Sequence, residues 1–243
     1  MKHARRLFPV LVALSLAGPA AAQGAPAARV TKLTFDLGYV NVSGNTSVTT
    51  FNVGERLVHT AGRWTYTQTA TALFGQTDGS TTAEAYEAGV RGDYKLGKRL
   101  SAFGLGTWFR NAFAGVARRF SEGVGLSLRA IQAPHDSLNV EGSLSFNQER
   151  SVAGVSNSFA ASRAALVYKH AFGTAAVFTQ NLELISNLEN SDDQRVNSET
   201  ALAAPISKQV AFKAAYVIRY DHQPEPGFQD TDRIITTGIQ IAF

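Results

Sequence analysis

TDRIITTGIQIAF, residues 231–243, closes the chain, and its reading decides the fold. Ile235, Thr237, Ile239, Ile241 and Phe243 recur every second residue, so they share one face of an extended strand. An apolar strand face that ends on a terminal aromatic is the usual ending of a bacterial outer-membrane barrel, where the last aromatic acts as the assembly signal. Phe243 is therefore read as that signal, and the barrel assembly machinery as the partner that recognises it.

The opposite end agrees. Residues 1–22 carry Lys2, Arg5 and Arg6, then an apolar run, then Ala20, Ala21 and Ala22, the pattern of a cleaved secretory signal peptide. The apolar run is too short to span a bilayer as a helix. Removing it lowers the formal charge from +4 to about +1, because three of the 23 basic residues lie there and none of the 19 acidic ones. No basic run or patch remains of the kind that nucleic acid requires, so no nucleic-acid partner is expected. Cysteine is absent, which excludes disulfides and thiolate metal sites.

Residues 23–29 form a short Ala/Pro leader, and residues 30–243 alternate almost throughout. Leu33, Phe35, Leu37 and Tyr39 open the series, and a turn at Ser43, Gly44 and Asn45 returns the chain through Phe51, Val53 and Leu57. Later rows include Tyr86, Ala88 and Val90; Phe103, Leu105 and Phe109; Val124, Leu126 and Leu128; and Phe212, Ala214 and Tyr216. The spacing predicts an all-β, transmembrane, antiparallel up-and-down barrel of about 12 strands, each of roughly 10 to 13 residues. Tight turns near 61–63, 96–99, 133–137, 171–174 and 205–209 alternate with longer polar loops near 76–82, 111–119, 150–157, 187–193 and 221–230. The tight set is assigned to the periplasm.

The face opposite the apolar rows is charged: Asp36, Arg56, Glu87, Arg91, Asp93, Arg110, Arg129, Glu141, Glu149, Arg163, Glu183, Arg195, Glu199, Lys213 and Arg219. A soluble barrel buries an apolar interior, so this distribution assigns the charges to a lumen and the apolar rows to lipid. Glu55 and Glu122 fall on the apolar face. Gly104, Gly106, Gly123 and Gly125 are placed inward, where they leave room. Trp64 and Trp108 suit interfacial girdles.

Leu37-Gly38-Tyr39 followed by Ser43-Gly44-Asn45-Thr46, the stretch 78–98 (DGSTTAEAYEAGVRGDYKLGK), the glycine-rich segment 103–108, and Arg119 with Gly123-Val124-Gly125-Leu126 together resemble domain-of-unknown-function family 481. That family includes an outer-membrane protein described as salt-induced. The resemblance implies an outer-membrane barrel in a Gram-negative envelope, in contact with lipid and lipopolysaccharide. It brings no catalytic residues, cofactor or metal ligands.

The expected role is structural or envelope-stress related, as in a salt response, with the lumen either filled by ion pairs or kept as a narrow porin-like passage for ions and small solutes. The alternative is an outer-surface hydrolase of the omptin type, using Asp192, Asp193, Asp221 and His222 on the last two outer loops. His59, His135 and His170 lie in or beside tight turns, away from any serine-bearing outer strand end. No cofactor or metal site is expected.

Overall fold

The computed structural model describes residues 29–42 and 48–243. The signal peptide, residues 23–28 of the leader and the turn at Ser43, Gly44 and Asn45 lie outside these described residues. Arg29, assigned to the leader, already belongs to the first strand.

The strands are β1 Arg29–Val42, β2 Val48–Ala61, β3 Trp64–Thr77, β4 Ser80–Lys95, β5 Leu100–Asn111, β6 Val116–Gln132, β7 Asp136–Ser151, β8 Ser156–Phe172, β9 Ala176–Asn187, β10 Gln194–Pro205, β11 Val210–Asp221 and β12 Thr231–Ala242. Each pairs antiparallel with its neighbours in sequence, and β1 pairs with β12 to close the barrel. Closure removes the unpaired edges that a strand cannot tolerate in hydrocarbon. The seam continues to the last residue, where Phe243 and Leu33 exchange backbone hydrogen bonds of 2.8 and 3.1 Å.

Arg29 and Phe243 lie at the same end of the barrel, here called proximal; the other end is distal. β5 and β9 to β12, at 12 residues, have the expected length, whereas the other seven strands, at 14 to 17 residues, exceed it. Near the rims both faces become polar, so the hydrophobic alternation fades before the backbone ladder does. The same effect shortens three of the expected long loops, and of residues 150–157 only 152–155 lie between strands. Residues 76–82 are a two-residue hairpin in which Asp78 and Gly79, at φ 50° and 78°, join Thr77 to Ser80, as a tight mirror-image turn requires. Residues 111–119 contain only one 3-10 turn, Ala112–Ala114, whose N–H groups at Phe113 and Ala114 donate to Asn111 Oδ1 at 3.1 Å. The longest described distal connection, residues 222–230, joins β11 to β12.

The outer face is apolar. Val124 is 69% exposed, Leu144 61% and Ile235 73%, and no other element covers them, as expected of a wall facing lipid. Trp64 stacks on Tyr66 at 5.8 Å and lies 4.9 Å from Tyr94 at the proximal rim, the amphipathic belt of a membrane interface.

One strand is inverted relative to the sequence reading. Phe103, Leu105 and Phe109 pair with Asp93, Arg91 and Glu87, all lumenal, so these three apolar residues face inward. Gly104, Gly106 and Arg110 therefore face outward, and Arg110 is removed from the lumen lining. It sits opposite Tyr86 and forms a 3.5 Å ion pair with Glu84. The physical reason is a set of cation–π contacts inside the barrel: the Arg91 guanidinium lies 3.9 Å from the Phe103 ring centroid, and Arg219 and Arg119 lie 4.8 and 5.6 Å from that of Phe109.

Candidate functional site: the lumen

Alternation places one residue in two inside the barrel, and closure brings together charges that are far apart in sequence. At mid-height Arg91 on β4 binds both oxygens of Asp93 at 2.9 and 2.7 Å and reaches past β5 and β6 to Glu141 on β7 at 2.9 Å. Glu141 also accepts from Arg163 on β8 at 3.0 Å, and Arg163 continues to Glu183 on β9. Asn197 donates to the second Glu183 oxygen at 2.9 Å. The result is an unbroken Asp–Arg–Glu–Arg–Glu chain across the wall from β4 to β9.

Glycine makes the reach possible. An ideal Cβ on Gly125 would lie 2.4 Å from Gly142 O and 2.8 Å from Phe103 Cζ, so β6 must lack a side chain where Phe103 and Arg91 lie across it.

Two further links tie distant walls. Arg219 on β11 meets Glu87 on β4 at 3.3 Å, five strands away around a ring of twelve. Lys213 on β11 meets Asp36 on β1 at 2.8 Å and Glu199 at 3.8 Å, and Gln240 donates to the other Asp36 oxygen at 2.9 Å. Toward the distal end Glu149 accepts from Arg119 at 2.6 Å and Arg195 at 2.8 Å, while Arg195 also meets Asp193 and Asp221 at 3.1 and 3.2 Å. The most buried charges among these, such as Glu141, Glu149 and Arg195, are thus taken from water with a partner, the condition for burying them cheaply.

Of the residues proposed from sequence to line the lumen, Asp36, Glu87, Arg91, Asp93, Glu141, Glu149, Arg163, Glu183, Arg195, Glu199, Lys213 and Arg219 belong to these networks. Arg56 and Arg129 also face inward, opposite Thr34 and Asn139, but neither meets a carboxylate. Arg129 is exposed and donates to Gln132 at 3.3 Å. Lumenal Lys32, Lys95, Arg119, Lys169, Asp193 and Asp221 were missed, although each is in step with a neighbour that was found; Asp232 was missed on β12, where no lumenal residue had been named.

The hydrolase candidates do not converge as a set. Asp193 and Asp221 meet on Arg195 inside, and Asn187 holds Asp193 at 3.0 Å. His222 instead lies 2.7 Å from the Tyr220 hydroxyl, and Asp192 is an exposed loop residue. At the proximal rim the Tyr168 hydroxyl donates to Asp136 at 2.6 Å, and His170 Nδ1 lies 2.8 Å from the same oxygen. Among the described residues no group of three or more His, Asp or Glu is arranged to hold a metal.

The ends of the lumen differ. A distal cup of about 250 Å³ is lined by Glu149, Asp193, Arg195, Asp221 and Glu225, whereas a proximal cleft of about 50 Å³ is lined by Lys95, Lys98, Arg99 and Arg129.

Comparison with known proteins places this geometry. A family described as "Protein of unknown function, DUF481" matches residues 35–243. An Escherichia coli (strain K12) protein described as "Uncharacterized protein YdiY" is 24% identical over 208 residues, covering 83% of this chain and 79% of that one. In three dimensions the chain resembles an outer-membrane channel from Pseudomonas putida F1, with a TM-score of 0.52 and 10% identity over 92% of this chain and 100% of that one. It also resembles the NanC porin, with a TM-score of 0.50 and 11% identity over 86% and 97% of the two chains. At these identities the likeness shows the fold alone.

Proposed function

The chain belongs to the DUF481 family of proteins of unknown function, and from that premise and its own interior we propose that it is an outer-membrane barrel whose lumen is held narrow by ion pairs. The Arg219–Glu87 bridge carries this reading, because it joins nearly opposite walls while the Asp93-to-Glu183 chain occupies the space beside it. The proximal end faces the periplasm and the apolar wall faces lipid, with lipopolysaccharide around the distal rim. The barrel assembly machinery inserts the chain.

What passes through such a lumen is small: water, ions or compact solutes. An envelope-stress role under salt is supported by the family resemblance, and the barrel fold suits it. No hydrolytic step is assigned to Asp192, Asp193, Asp221 or His222, because the imidazole turns toward Tyr220 while Asp193 and Asp221 are held by Arg195.

Planar-bilayer recording tests the proposal. The purified barrel is expected to show small or no open levels in potassium chloride, and the Arg91→Ala/Arg219→Ala double variant larger ones. Large, stable steps from the unmodified protein would overturn it.

A further inference from the structure

Charge is not spread evenly along the lumen. All 19 Asp and Glu residues of the chain lie among the described residues. Lys32 on β1, Arg56 on β2, Lys95 on β4, Arg129 on β6 and Lys169 on β8 face the interior. All five are exposed, and none makes an ion pair among the described residues. Lys32, Arg129 and Lys169 each lie three residues from the proximal end of their strand, and Lys95 is the last residue of β4.

These cations converge. β2 and β8 are six strands apart in a ring of twelve, hence on opposite walls, yet Lys169 lies within electrostatic reach of Arg56 and Lys32. Lys95 and Arg129 share the proximal cleft with Lys98 and Arg99. Of the carboxylates toward this end, Asp93 is held by Arg91, Glu199 makes only a 3.8 Å contact with Lys213, and Asp136 on the outer face is held by Tyr168 and His170. Residues 1–28 and 43–47 contain no Asp or Glu; Asp93 and Glu199 lie within electrostatic reach of Arg56 and the terminal carboxylate of Phe243 lies beside Leu33, so the five cations are offset only in part.

We propose that the proximal mouth is a binding site for a polyvalent oxyanion of the periplasm, a compact solute bearing two or more phosphate, sulfate or carboxylate charges. Like charges held on facing walls of a low-dielectric tube repel one another and focus their field into the space between them. An anion with several oxygens relieves that repulsion and accepts charge-assisted hydrogen bonds from several strands at once. The site goes beyond the narrow-passage reading, since an anion could bind at the mouth whether or not the lumen conducts.

The test uses the full folded barrel in neutral detergent at low ionic strength, titrated calorimetrically with inorganic pyrophosphate. Saturable binding is expected, weakened about tenfold by Lys169→Gln and further by the Arg56→Gln/Lys169→Gln double variant, and declining steadily with added salt. Lys208→Gln, in the exposed proximal turn 206–209, should leave it nearly unchanged. Without anion, Lys169→Gln should unfold at a higher temperature than the unmodified protein, because it removes a repelling charge, and pyrophosphate should stabilise the unmodified protein more. Absence of saturable binding, an equal loss in Lys208→Gln, or a lower unfolding temperature for Lys169→Gln would each overturn the proposal. No current is read, so an unexpectedly open lumen leaves this assay unaffected.

Discussion

Glu141 holds the centre of the mid-height network. Its side chain is 8% exposed and is shared by Arg91 from one wall and Arg163 from the next strand. Glu141→Gln leaves two guanidinium groups without their common anion, and breaking a buried pair from one side costs about 3 kcal/mol. The expected result is a lower midpoint for the loss of heat-modifiable mobility on gels, or in urea. Arg129 gives the opposite expectation, since its recorded partner is Gln132 at the exposed mouth. Arg129→Ala should change stability by no more than about 0.5 kcal/mol in the same assay. Alternation alone assigned both residues to the interior. Which carboxylate meets which cation was not legible, because Arg91 and Glu141 are separated by 50 positions and three strands, and only closure of the ring fixes that distance.

At the scale of the strand, β5 shows where two-residue periodicity stops being sufficient. Its apolar row is genuine, but an apolar row identifies a face without saying which side it is on. The large residues went inward because Gly123 and Gly125 lie opposite Leu105 and Phe103, and because lumenal guanidinium groups lie over the rings of Phe103 and Phe109. Register with β4 carried the missing information, since Phe109 faces Glu87 and Phe103 faces Asp93. Gly104→Arg tests the inversion directly. A Cβ there has open space, with only Gly123 O at 3.9 Å, so its cost comes from a charge facing lipid, up to about 2 to 4 kcal/mol near the midplane. Folded protein recovered in liposomes should fall sharply for Gly104→Arg and little for Gly104→Leu. Equal recovery would return Gly104 to the lumen. The closing strand is the contrary case: Ile235, Ile239 and Phe243 were read outward, and all three are exposed on that side.

For the whole molecule, the number of strands and their connectivity were legible because each strand carries its own alternation and each proximal turn contains, or directly follows, a Gly or Pro. The lengths of the distal loops were not, because polar rim strands and polar loops have the same composition. The division of the lumen into a paired middle and an unpaired mouth sets an expectation for any current the barrel carries. That current should favour anions, read as the reversal potential in a salt gradient, because among the described residues the lumenal cations without an ion pair, Lys32, Arg56, Lys95, Arg129 and Lys169, outnumber the lumenal carboxylate without one, Asp232. The Arg56→Glu/Lys169→Glu double variant should move the reversal potential toward cation preference.

The same division has a directional consequence. With Lys32, Lys95, Arg129 and Lys169 gathered at one mouth, Arg56 five residues inside it, and acidic residues around the other cup, the tube is electrically unlike when viewed from its two ends. Mobile ions accumulate or deplete at the charged mouth according to the sign of the applied voltage. A barrel inserted in one orientation would therefore rectify, passing unequal currents at equal and opposite potentials, and neutralising Lys169 would make it more nearly ohmic.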